Sequence, residues 1–240
     1  MSDRFESRDP AACTRCGGDG FVLDPQGDAV PCECREVRVR RARTLGVSSV
    51  IPRKYRGVSF ERAPVSDIDD RIIREVKRFV REMDTTIPRG KGLWIFGDVG
   101  TGKTSLAMLV SKEAIQRGYS VAIYSVPRLL GHIRATYDSG GTEQSYASLF
   151  EQLASVDLLH LDDLGSEKQT DWVLEQLYSL VNERYERERS IVLTTNVELK
   201  ALEEQIGERT VSRLTEMTEQ VPLFGADLRQ PFDSEQSALA

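Results

Sequence analysis

The sequence predicts an α/β fold: a doubly wound parallel sheet covered by helices, preceded by a small cysteine-rich module. Three observations predict it. Short apolar, β-favouring runs alternate with stretches of helical periodicity from about residue 67 to residue 224, the order that parallel βαβ units require. One run, Leu93-Trp94-Ile95-Phe96, opens straight into a glycine-rich loop followed by a helical pattern. All four cysteines fall within the first 34 of 240 residues, ahead of the alternating part.

Composition bounds the rest. Hydrophobic residues make up 40% and charged residues 29%, values of a soluble globular chain with one well-filled domain and a small appendage. No apolar run approaches the roughly 18 residues needed to span a bilayer. The first residues, Met1 to Asp9, are mixed in charge and lack an apolar core, so no secretory signal is read and a cytoplasmic location without membrane contact is expected. The net charge of −6 is unevenly spread: from Arg35 to Arg56 eight Lys or Arg residues face one acid, Glu36, a local +7 that leaves −13 elsewhere. That run is read as a basic linker with a local contact surface, or as a solvated arginine face.

Cys13-Thr14-Arg15-Cys16 is a C-x2-C knuckle, and Cys32-Glu33-Cys34 supplies a second pair after fifteen residues that include the turn former Asp24-Pro25-Gln26-Gly27-Asp28. Four thiolates from two close pairs suit structural, tetrahedral Zn2+; two disulfides are the alternative, which a reducing compartment disfavours. So short a segment, with little apolar content beyond Phe21, Val22, Leu23, Ala29 and Val30, needs a staple to fold.

Ile68, Ile72, Ile73, Val76, Phe79, Val80 and Met83 form a helical stripe over 67–84, which Thr85 to Gly90 breaks. After the strand at 93–96, Gly97-Asp98-Val99-Gly100-Thr101-Gly102-Lys103-Thr104 fits G-x-x-x-x-G-K-[ST], with Ser105 next. Glycines admit close approach of backbone N–H groups to phosphates, and the following helix N-terminus adds partial positive charge. In that setting Gly97, Gly100, Thr101, Gly102, Lys103, Thr104 and Ser105 bind the nucleotide; Lys103 reaches the β- and γ-phosphates and Thr104 ligates Mg2+. A strand is expected at 120–124, helices at 127–138 and 144–155, and a strand at 156–161 ending in Asp162-Asp163. Asp162 is assigned to magnesium and Asp163 to the attacking water, against the blander reading of two acids capping a turn. His160 and His132 receive no role. A long helix at 170–188 precedes the strand 190–194, which leads to Thr195-Asn196; Asn196 is placed to position the water or sense the γ-phosphate, against the blander reading of a turn and helix cap. Short helices near 199–206 and 208–217 and a strand at 221–224 follow, then a polar tail from Pro231. No internal repeat is present.

In this order the motifs resemble the DnaC/DnaI/IstB group of AAA+ ATPases, from about Ile51 to Arg229. The resemblance implies a P-loop AAA+ core without a full C-terminal lid, with the glycine loop as Walker A, residues 156–163 as Walker B and Asn196 as sensor 1. Gly207 to Leu214 is similar to the box VII helix, which makes Arg213 the arginine finger offered to a neighbouring subunit, with Arg209 as the alternative. Gly225-Ala226-Asp227-Leu228-Arg229 makes Arg229 the sensor 2 candidate. From the residues alone, these arginines read as surface ion pairs. The resemblance further implies self-association through shared ATP sites and weak ATPase activity in isolation. It also implies contact of the 127–154 helices with single-stranded DNA, where Arg128, His132, Arg134 and Tyr137 offer cations and a ring. The expected organisation is a zinc module at 1–45, a basic linker at 46–62, the ATPase domain at 63–230 and a flexible tail at 231–240. The function implied is ATP-dependent loading of the hexameric replicative helicase, with the zinc module docking on that helicase. An IstB-like regulator of transposition on duplex DNA, and a zinc adaptor whose nucleotide is only structural, are the alternatives.

Overall fold

The computed structural model describes residues 13–16, 21–35, 51–138 and 145–228. Arg38, Arg40, Arg41 and Arg43 of the basic run, Arg229 and the tail from Pro231 lie outside the described residues. Near the N-terminus, β1 (Phe21–Leu23) pairs antiparallel with β2 (Ala29–Pro31). Asp24 makes the turn between them, its Oδ1 accepting the amides of Gln26 and Asp28 at 3.0 and 2.9 Å.

Five strands form the main sheet: β3 (Gly92–Phe96), β4 (Val121–Ser125), β5 (Leu158–Asp162), β6 (Ser190–Thr195) and β7 (Thr218–Pro222). Their spatial order is β4-β5-β6-β3-β7 and every pair is parallel. The helices are α1 (Asp70–Arg81), α2 (Lys103–Gln116), α3 (Val126–Asp138), α4 (Tyr146–Ser155), α5 (Asp171–Glu186), α6 (Leu199–Ile206) and α7 (Glu208–Met217). Alternate residues along each strand point to opposite faces. Leu93, Ile95, Ile123, Leu158 and Val192 therefore pack with α1 and α2, while Trp94, Tyr124, Leu159, Leu161, Ile191 and Leu193 pack with α3 to α7. This is the doubly wound sheet the alternation predicts. Among the described residues no helix is long and apolar enough to cross a membrane.

Local chemistry sets the ends. Asp69 caps α1 by accepting from the Arg71 amide, and Thr170 caps α5 by accepting from Val173. The helix expected over 67–84 is split at Glu82 into α1 and a single turn, Met83–Thr86. β7 begins three residues earlier than expected and ends at Pro222. As an edge strand it buries only Thr218 and Val221, so polar Glu219 and Gln220 hide it from an apolar-run reading. Of the stretch expected as a linker, residues 51–62 fold onto the core: Ile51, Tyr55 and Phe60 pack against it, and Lys112 Nζ donates to the Val58 carbonyl at 2.9 Å. At the N-terminal edge of the sheet the guanidinium of Arg184 is fully buried and donates to the carbonyls of Leu153 (2.6 Å), Val156 (3.0 Å) and Ser190 (2.5 Å). Burial pushes its pKa down to about 9, which leaves it charged at neutral pH.

Candidate functional site

The chain leaves β3 for the far edge of the sheet and returns through β5 and β6 to lie beside it, so a crevice opens at the C-terminal ends of β3, β5 and β6. A cavity of about 730 Å³ occupies this crevice, lined among others by Gly100, Gly102, Lys103, Thr104, Ser105, Asp163 and Asn196. The loop after β3 runs through positive φ at Gly97 (137°), Gly100 (83°) and Gly102 (93°) and hands over to α2 at Lys103. The amides of the first turn of α2 thus face the cavity. Lys103 is buried, its ammonium donating to the carbonyl of Gly97 at 2.8 Å and to that of Asp98. Thr101 Oγ1 donates to Asp98 O at 2.9 Å and tightens the same turn.

A strap from Leu223 to Leu228 lies along this loop. Leu223 donates to Phe96 O (2.6 Å) and accepts from the Asp98 amide (3.1 Å), Gly225 donates to Asp98 Oδ2 (3.0 Å), and Leu228 donates to Gly100 O (3.1 Å). The contact is close enough that a Cβ on Gly97 would sit 1.9 Å from Leu223 O, and one on Gly100 would sit 1.9 Å from Asp227 Oδ1.

Asp162 and Asp163 stand at the end of β5, and Thr194 of β6 joins them. Its hydroxyl donates to Asp162 Oδ1 at 2.7 Å and accepts the Asp163 amide at 2.9 Å. Asp162 is buried, which raises its pKa, while hydrogen bonds from Thr194 and Thr104 and the charge of Lys103 oppose the rise. Asp163 takes φ 58°, a left-handed conformation held by Thr194 and by Ser166 Oγ, which donates to its carbonyl at 2.7 Å. Asn196 is exposed at the tip of β6 on the cavity wall, with Thr195 Oγ1 beneath it donating to Leu164 O at 2.7 Å. His160 is fully buried, its pKa lowered to about 4 by desolvation, and its Nδ1 lies 2.8 Å from Ser111 Oγ on α2. The phosphate-loop residues, both acids and Asn196 are therefore brought together at this crevice.

The arginines are elsewhere. Arg213 is half-buried on α7, its guanidinium 5.1 Å from the ring centre of Tyr178 and 5.7 Å from that of Tyr185 on α5. Arg209, one turn earlier, is exposed, and neither residue lines the cavity. Of the side chains considered for nucleic acid, Arg134 stacks on Trp172 at 4.6 Å, His132 Nδ1 lies 3.3 Å from Tyr124 Oη, and Tyr137 stacks on Tyr146 at 5.2 Å and 20°.

Cys13, Cys16, Cys32 and Cys34 are thiols whose sulfurs lie within 4.8 Å of one another, with Cys13–Cys32 at 3.8 Å and Cys16–Cys34 at 3.3 Å. Tetrahedral Zn–S bonds of about 2.3 Å put neighbouring sulfurs about 3.8 Å apart, so the donor set fits zinc in kind and spacing. The hairpin β1–β2 spans the two pairs, and backbone N–H groups of Cys16 and Arg15 hold the Cys13 thiol below its usual range.

Sequence reasoning missed Thr194, the strap's grip on the loop, and the segment 54–67. From that segment Lys54, Tyr55, Arg62 and Asp67 line the cavity. Thr194 carried a signal, a hydroxyl one strand over from the acids in a run of apolar neighbours. The other two depend on backbone contacts that no residue pattern encodes.

With this geometry in hand, comparison with known proteins gives three findings. The family described as IstB-like ATP binding protein matches residues 33–230. A replicative helicase loader DnaC from Buchnera aphidicola subsp. Schizaphis graminum is 28% identical over 178 residues, 73% of this chain and 70% of that protein; the DnaC loader of Escherichia coli strain K12 is 27% identical over the same shares. The crystal structure of the DnaC helicase loader superposes with a TM-score of 0.63 at 26% identity, covering 72% of this chain and 99% of that one.

Proposed function

Because the chain belongs to the IstB-like ATP binding protein family, a DnaC-like AAA+ ATPase family, we propose that it is an ATP-dependent loader of the hexameric replicative helicase. It would place the helicase on single-stranded DNA in the cytoplasm and release it on hydrolysis. The observation that carries this reading is the pairing of a complete phosphate-loop site with likeness to proteins named replicative helicase loaders.

The chemistry follows from the residues. The loop amides and Lys103 take the β- and γ-phosphates of ATP, while Thr104 and Asp162 hold Mg2+. When bound, the ion neutralises charge on the phosphate oxygens. Asp163 orients the attacking water and accepts its proton, and Asn196 positions that water against the γ-phosphate. The products are ADP and phosphate. Arg213 serves the nucleotide of a neighbouring copy, with Arg209 as the second candidate, and Arg229 is assigned to sensing the γ-phosphate. An arginine held against two aromatic faces, with no carboxylate within salt-bridge distance among the described residues, keeps its charge for an anionic ligand. Isolated subunits then hydrolyse ATP slowly, and assembly accelerates them. The four thiolates hold a structural Zn2+, and the module they staple docks on the helicase. The helices α3 and α4 face single-stranded DNA.

Likeness to an IstB-like ATP binding protein keeps open one second reading, which the resemblance implies: a regulator of transposition that assembles with ATP on duplex DNA. The test is co-elution of the full-length chain with its host's hexameric replicative helicase in ATP and Mg2+, beside the Cys32→Ser/Cys34→Ser double variant. A complex formed by the wild type and lost in the variant supports the loader and the module's role. No complex, together with ATP-dependent assembly on duplex DNA, transfers the chain to transposition.

A further inference from the structure

His160 is a polar side chain within the apolar run that leads to Asp162 along β5, and the ATPase mechanism does not use it. Alternation along β5 puts it on the same face as Asp162, the face covered by α2. On α2, Thr104 and Ser111 are seven residues apart and share one stripe of the helix. Two polar rungs therefore join helix to strand. Thr104 stands beside Asp162 at the cavity and helps hold that carboxylate's pKa down, and Ser111 Oγ meets His160 Nδ1 at 2.8 Å beneath it. The other ring nitrogen, Nε2, is fully buried and has no hydrogen-bond partner among the described residues. The carboxylate oxygen Asp162 Oδ1 lies 4.0 Å from it. A buried polar atom left without a partner is destabilising, so a leucine would be the cheaper occupant if packing were the whole role.

A lone pair on Nε2 would face a carboxylate oxygen, so the ring proton belongs on Nε2 and the Ser111 hydroxyl donates to Nδ1. The oxygen it faces is the one that Thr194 already holds at 2.7 Å. A shift of the carboxylate by about 1 Å brings Nε2–H into hydrogen-bond range. We propose that His160 is a positioning residue for Asp162: anchored to α2 through Ser111, it donates to Oδ1 as the carboxylate engages the metal and leaves the second oxygen to the magnesium shell. Outer donors of this kind fix the orientation of a carboxylate ligand. The same contact ties the phosphate-loop helix to the acid strand, so the two halves of the site move together. The proposal rests on Asp162 as the magnesium residue.

The test uses Mn2+ as the probe, counted by its paramagnetic resonance in the presence of a non-hydrolysable ATP analogue, with thermal melting as the fold control. His160→Met, apolar and of similar volume, is expected to keep the melting temperature or raise it, while Mn2+ binding weakens roughly tenfold. Nucleotide binding without metal stays unchanged. His160→Gln, which restores an N–H donor, recovers most of the loss. Ser111→Ala weakens Mn2+ binding in the same direction, and the Ser111→Ala/His160→Met double variant is no worse than His160→Met alone. Wild-type Mn2+ affinity in a folded His160→Met variant overturns the proposal. Asp162→Asn separates the two layers: if it leaves Mn2+ binding intact, the magnesium assignment itself fails and the proposal with it. If Asp162→Asn abolishes binding while His160→Met does not weaken it, only the positioning role falls.

Discussion

Replacing Gly97 by alanine probes the joint between the phosphate loop and the strap that follows β7. The new methyl would stand 1.9 Å from the carbonyl oxygen of Leu223 and 2.5 Å from its carbon. Both are backbone atoms, so no side-chain rotation relieves the clash. The strap must lift away, which breaks the bonds from Asp98 N to Leu223 O (3.1 Å) and from Leu223 N to Phe96 O (2.6 Å). Each such bond contributes about 1 kcal/mol net, and an alanine at φ 137° adds roughly 1–3 kcal/mol of backbone strain. The expected loss is about 3–5 kcal/mol, equivalent to a melting temperature lower by roughly 10 °C in a chain of this size. Gly100→Ala is the internal control. The nearest atoms to its methyl belong to the Asp227 carboxylate, a side chain that can rotate where backbone cannot, so the cost is the left-handed φ of 83°, about 1–2 kcal/mol, together with the contacts Asp227 gives up in moving. Urea melts of both variants, with affinity for a fluorescent ATP analogue measured alongside, give the comparison. A Gly97→Ala variant within about 1 kcal/mol of wild type, or one more stable than Gly100→Ala, would refute the account of the strap.

Three further outcomes follow from the same geometry. Thr194→Val removes the donor to Asp162 and orphans the Asp163 amide, so stability falls by about 1–3 kcal/mol in urea melts and ATP turnover drops by more than Thr195→Ser lowers it. A zinc chelator is expected to abolish the ordered hairpin of residues 21–35, followed by amide exchange, while nucleotide affinity is retained; metal analysis far below one equivalent of zinc per chain contradicts this. Glu151 accepts both terminal nitrogens of Arg187, at 2.7 and 3.0 Å, and that bond holds its pKa below the ordinary value of 4.5. Its contribution is present above the unfolded pKa and is lost as pH falls through the lower folded value. The pair is solvent-exposed, so Glu151→Gln costs at most about 1 kcal/mol at pH 7, and the gap to wild type narrows in urea melts as the pH is lowered towards 4.

Legibility in the sequence followed the range of the physics involved. Strands buried on both faces, such as Leu93 to Ile95 and Ile191 to Leu193, announce themselves as continuous apolar runs. The phosphate loop is legible because glycines, lysine and threonine must stand at fixed offsets on one short turn. Asp162 and Asp163 stand out as charge ending an apolar strand. The edge strand β7 was shifted because one side of it meets water, and Glu219 spends its charge on Arg78 of α1 at 2.8 Å. Residues 51–62, basic and with few apolar positions, look like a linker until Val58 and Tyr55 are seen against the core.

By itself the sequence determined the alternation of strand and helix, the phosphate-binding loop, the acid pair and the four-cysteine cluster, since each is a local pattern of residue types with a local physical cause. Only the tertiary structure decided that β6, and with it Thr194, stands between the loop strand and the acid strand, bridging the two acids. It alone seated Arg213 against two tyrosines, buried Arg184 under five backbone carbonyls, and laid Leu223 to Leu228 along the loop. Such contacts join residues tens of positions apart through backbone atoms and ring faces, which every sequence carries and which only packing selects.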